Sequence, residues 1–157
     1  MSDIVLQRDV ASLGALLRLG NGSSATAGGT GDATSVTGAT IDRFSIGNGS
    51  MPNVANVGVI YDAVLASGAT LSIGYAVQDS GDGATWADYQ TATYAVVATG
   101  PSGGGTKTGV FDIGSVNLSS ARRYVRLNYM PDLSAANTDT ASFRAIGFAA
   151  GYDRLPN

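Results

Sequence analysis

Between residues 70 and 78 the chain alternates: Leu71, Ile73, Tyr75 and Val77 are separated by small or polar residues, as in an extended strand with one apolar face. The cluster Asp79-Ser80-Gly81-Asp82-Gly83 follows. Its glycines accept positive φ, its aspartates bond nearby amides, and the chain re-enters at Trp86. The pattern predicts a hairpin with an aromatic anchor just past its turn. Upstream, Val57, Val59, Tyr61, Ala63 and Leu65 alternate through a longer strand, and the short turn Ser67-Gly68-Ala69 predicts a second hairpin with residues 70–78. Residues 41–46 read as a short strand ended by Gly47-Asn48-Gly49, and Pro52 and Asn53 mark a loop. Further strands are predicted at 86–89, 94–98, 110–113, 116–118 (or one strand kinked at Gly114), 122–129 and 141–150. About eight or nine strands at regular spacing, with no helix of ordinary length, predict an all-β antiparallel sandwich or jelly roll.

The first forty residues depart from this pattern. Residues 2–20 carry Ile4, Val5, Leu6, Val10, Leu13, Leu16, Leu17 and Leu19 at spacings that fit neither period, a strand and then a short helical turn. In residues 21–40, Val36 is the one sizeable apolar side chain, too little to offset the entropy of ordering. The chain is therefore expected to divide into an extended N-terminal arm with a Gly/Ser/Thr-rich linker (1–40) and a β-sandwich domain (41–157). Such a linker is expected to order only against a neighbouring subunit.

Composition narrows the chemistry. The 157 residues suit one domain that needs no disulfide, and there is no Cys. There is also no His, which removes zinc sites of the usual kind and Ser/His or Cys/His nucleophile pairs. A net charge of −3 without a basic stripe speaks against nucleic acid. No run approaches a membrane span, and Asp3, Gln7, Arg8 and Asp9 interrupt the start that a signal peptide would need, so a soluble protein made in the cytoplasm is expected. Charged residues make up only 13% of the chain, against 22 glycines, a surface suited to packing on copies of itself or on a larger partner.

Candidate sites are few. Asp79 and Asp82 offer oxygen ligands for calcium but lack the further acids and closing Glu of a calcium loop, so a plain turn is expected. Asp132 with Asp139, or Asp88 with Asp112, are the carboxylate pairs to consider for glycoside hydrolysis; no catalytic residue, metal or cofactor is expected. Trp86, with Tyr89, Tyr75 and Tyr94, offers stacking faces for sugar rings, or else Trp86 closes one end of the core. Arg122, Arg123 and Arg126 form the basic cluster and are expected to pair with acids.

Two resemblances attach to these residues. VQDSGDGATWADY (77–89) and ARRYVRLNY (121–129) resemble segments of galactose-binding-like and discoidin-type jelly rolls, which implies a sandwich and, as an alternative function, carbohydrate binding through Trp86 and Tyr89. Over most of residues 41–157, the SGDGATW turn, YVRLNYMPDLSAANTDTA (124–141) and AIGFAAGYDRLP (145–156) are similar to head decoration (cement) proteins of tailed bacteriophages. That resemblance implies a virion protein seated on the major capsid protein, often as homotrimers. In it Ile4, Val5, Leu6 and Val10 would contact the capsid or a neighbouring copy.

Overall fold

The computed structural model describes residues 14–46, 50–135 and 138–152. The elements run β1 (Gly14–Arg18), β2 (Ser23–Thr26), β3 (Val36–Thr37), β4 (Ile41–Asp42), α1 (Arg43–Ile46), β5 (Pro52–Leu65), β6 (Thr70–Ser80), β7 (Ala87–Thr99), β8 (Gly105–Asn117), β9 (Tyr124–Leu133) and β10 (Thr140–Tyr152). They form two sheets: β1-β10-β5-β8 with β2 also on β10, and β3-β9-β6-β7 with β4 also on β9. All pairings are antiparallel. β1 and β2 share one edge of β10, as β3 and β4 share one edge of β9, so each pair is one interrupted strand. Renumbered that way, the sheets read 1-8-3-6 and 2-7-4-5, the strand order of an eight-stranded jelly roll.

The expected alternation supplies the core. Val59, Tyr61, Ala63 and Leu65 of β5 and Phe143, Ala145 and Ala149 of β10 face Leu71, Ile73 and Val77 of β6 and Val125, Leu127 and Tyr129 of β9, all buried. The Tyr129 and Phe143 rings meet across the sandwich at 6.0 Å. An apolar void of about 30 Å³ lies among Leu17, Leu19, Val57, Val116 and Leu127, room for about a water or two and no substrate.

Several expectations are corrected. The strands 57–65 and 70–78 do not pair: β5 and β6 lie in opposite sheets, and the turn carries the chain across the sandwich. Leu65 and Leu71, on either side of the turn, are both buried in the shared core. Residues 41–46 are strand for two residues and then the helical turn α1, and β5 begins at Pro52, where a loop was expected. The helical turn expected before residue 20 is the edge strand β1. The predicted hairpin at 79–86 is present, joining β6 to β7. The kink at Gly114 is a bulge, with Gly114 at φ 83°.

Within residues 21–40, expected to be a tether, β2 and β3 join the two sheets. Little apolar area is involved; hydrogen bonds do the fastening. Ala27 N–H donates to Asp139 O at 2.9 Å and Ala33 N–H to Pro131 O at 2.8 Å, while the Asp32 carboxylate accepts from Gly28 and Leu133 N–H. Small residues are what permit the approach: a Cβ on Gly38 would stand 2.1 Å from Leu127 O. The residues before Gly14, including Ile4, Val5, Leu6 and Val10, lie outside the described residues.

Candidate interaction surfaces

One end of the sandwich gathers α1, the β6–β7 turn and the segment between β8 and β9. Arg43, on α1, is buried and spans the end: its guanidinium donates to Ala121 O, to Arg122 O at 3.1 Å and to Pro52 O at 2.7 Å. Burial pushes its pKa down from the ordinary value. Arg122 forks onto Asp79, with Nε and Nη2 at 3.0 and 2.6 Å from Oδ1, and Arg122 N–H adds a bond to Oδ2. The guanidinium holds the Asp79 carboxyl below its usual range. Arg123 pairs with Asp42 at 2.6 Å and lies over the Phe44 and Tyr124 rings. Two of the three arginines of the basic cluster therefore meet acids, as expected. Asp82 caps its own turn, accepting from Ala84 and Thr85 N–H at 2.9 and 2.7 Å, and these bonds set its pKa far below the normal carboxylate value. Asp79 and Asp82 are thus committed to different partners. Among the described residues no group of three acids is placed to hold a metal ion, and no helix is long and apolar enough to cross a membrane.

The aromatic platform is split. Tyr75 points inward and meets Phe111 of β8 at 6.2 Å. Tyr89 packs against the core, and its hydroxyl reaches Asn117 O at 2.6 Å and Ser120 Oγ at 2.9 Å. Trp86 and Tyr94 instead stand on the outer side of the second sheet. Trp86 is half-buried, with the Arg126 guanidinium 4.1 Å from its ring centre, so it does not close the core. Gln78 Oε1 accepts from Arg126 Nε and Asn128 Nδ2, both at 2.8 Å, and its Nε2 donates to Asp88 at 2.7 Å. This ladder pins the cation over the indole. Beside it runs a shallow groove floored by Ala76 and Ala92, with Tyr94 at its far end. Since only a surface cation–π contact is lost, Trp86→Ala is expected to fold and to lose about 1 kcal/mol or less, checked by thermal melting. The proposed carboxylate pairs do not converge: Asp88 and Asp112 lie in different sheets, Asp132 is on β9, and Asp139 is buried against Ala66 N–H.

The outer face of the first sheet is the surface that the strand pattern did not reveal. Paired positions across β1, β10, β5 and β8 put Leu16, Phe148, Ile146, Ile60 and Val110 on this one outward side. Leu16 is 82% exposed, Val110 57% and Ile146 38%. Gly58, paired with Ile146 and Asp112, leaves a hollow among them. A signal was present: VGVIY (57–61) and AIGFA (145–149) are apolar at nearly every position, the mark of strands covered on both faces rather than one.

No protein-family model matches the sequence, and no curated protein matches it significantly. Solved structures similar to the chain include a mutant VP2 protein of infectious bursal disease virus in derived T=1 particles, with a TM-score of 0.45 and 14% identity over 91% of this chain and 33% of that one. The Gx strain of the same virus gives 0.45 and 10% over 88% and 32%, and a VP2 subviral particle 0.44 and 13% over 91% and 34%. The chain spans about a third of the length of each. The jelly-roll assignment rests on the strand order itself.

Proposed function

We propose that the chain is a non-enzymatic structural protein of a virion that associates with capsid protein and with copies of itself. The observation that carries this reading is the uncovered apolar face of the first sheet, on a domain whose interior is filled by its own side chains. A cluster of exposed apolar side chains on one sheet face, here interleaved with Arg18, Arg144, Asp62 and Asp112, marks a surface that a partner covers. The jelly roll is a recurrent architecture of capsid and lectin domains, and the sequence resemblance to phage head decoration proteins favours the first. In this reading residues 1–13, through Ile4, Val5, Leu6 and Val10, contact the capsid surface, and many weak repeated contacts add up over a symmetric shell.

The test is occupancy of particles purified from the native background. The full chain is expected on the particles; a chain lacking residues 1–13 is expected to melt within about 2 °C of it yet to be lost from them. Retained occupancy would reject the arm, and absence of the full chain from particles would reject the virion role. A second reading, glycan binding at the groove beside Trp86, is favoured by that ring lying at the surface rather than in the core. A glycan array on which the wild type binds and folded Trp86→Ala does not would establish it in place of the first.

A further inference from the structure

We propose that the outer face of the first sheet is a two-fold interface between two copies of this chain. The inference rests on the assembly reading above but goes beyond it in naming the surface, the symmetry and the pairing. Arg18 pairs in register with Ile146, Ile146 with Gly58, and Gly58 with Asp112, so these four residues form one row across β1, β10, β5 and β8. A cation ends the row on one side and an anion on the other. Between them lie an exposed apolar knob and a gap with no side chain.

Such a row complements itself. Bringing a second copy face to face by a half-turn about an axis parallel to the strands reverses the strand order and keeps the row. β1 then lies over the second copy's β8, and β10 over its β5. Arg18 of each copy meets Asp112 of the other, and each Ile146 meets the other's Gly58. Among the described residues neither charge has an ion-pair partner; the ion pairs there are Arg122–Asp79 and Arg123–Asp42. Arg18 bonds only neutral groups, Gly20 O and Asn21 Oδ1, and Asp112 accepts from Gly114 N–H.

The sizes agree. Stacked sheets cross at about 30°, and the row's ends lie about 7 Å from the axis at ordinary strand spacing. The resulting offset, about 3–4 Å, is within reach of an arginine side chain. Three strands of thirteen or fourteen residues, with the five of β1 and four of β2 along the edge, present a face of about 800 Å², which is the area each partner contributes to an interface of standard size. A closed isologous pair also uses up the apolar face, whereas a head-to-tail contact would leave one copy exposed at each end.

The experiment is sedimentation equilibrium of the full chain up to about 1 mM, the weak limit of measurable pairing. It compares wild type, Arg18→Asp, Asp112→Arg and the double exchange, with circular dichroism to confirm folding. A wild-type dimer is expected. Each single exchange places like charges together twice and should weaken dimerisation about tenfold or more. The double exchange re-forms both pairs with signs reversed and should restore it. A wild-type monomer at every concentration, a trimer indifferent to the single exchanges, or a double exchange no tighter than the singles would overturn the proposal. The outcome separates from that of the virion reading. A dimer absent from particles leaves the interface standing and removes the virion role, and a monomer found on particles does the reverse.

Discussion

Arg43→Met is expected to lower the unfolding free energy by about 3–5 kcal/mol, the range for removing one partner from a buried charged network. In a domain of this size that is a fall in Tm of roughly 10 °C. Arg43 is 2% exposed, and its guanidinium is shared by three carbonyls from two segments, Pro52 at the start of β5 and Ala121 and Arg122 ahead of β9. Methionine fills much of the same volume but removes the arginine's donors from those carbonyls, which are buried at Pro52 and part-buried at Ala121 and Arg122. Their desolvation, rather than lost packing, then dominates the effect. Arg43→Lys keeps the charge on a single point and cannot fork to carbonyls on both segments, so it should recover only part of the loss. A methionine variant melting within about 2 °C of wild type would show that the arginine does not tie this end together.

Removing residues 1–20 is expected to abolish cooperative folding, whereas removing residues 1–13, which spares every described strand, is expected to leave it intact. The longer truncation deletes β1 and with it Leu17 and Leu19, 7% and 4% exposed. Each contributes about 1.5–3 kcal/mol by burial. It also deletes the ladder from β1 to β10 and the bonds Leu19 N–H to Ala145 O and Ala39 N–H to Leu19 O, each worth about 1 kcal/mol. A loss on the order of 5 kcal/mol or more approaches the whole stability of a typical domain. Loss of the thermal transition and of slow amide exchange in β10 would confirm it. A sharp transition surviving the longer cut would restore the view that the sandwich begins at residue 41.

The two outcomes together explain where sequence reading succeeded. Strands β6, β9 and β10 were legible because every second residue is apolar, and a period of two has few other solutions. The β6–β7 turn was legible because Ser80, Asp82 and Gly83 supply its bonds and its positive φ locally. The pairing of 57–65 with 70–78 was misjudged because a short turn between alternating strands can either fold them into one sheet or pass the chain to the facing sheet. Both place the same residues in the core. Residues 21–40 were misjudged because apolar area was weighed and backbone bonding was not. Trp86 was left between core and surface because its neighbour Arg126 lies forty positions along the chain.

By itself, then, the sequence determined the local alternation, the turn chemistry, the all-β class and the exclusion of histidine and cysteine chemistry, since these depend on residues near one another or on counts. Only the tertiary structure decided which strands share a sheet and what anchors residues 21–40. It also decided that Arg18, Ile146, Gly58 and Asp112 stand in one row. Those facts depend on non-local ladders, where each hydrogen bond joins positions whose side chains carry no mark of their partner.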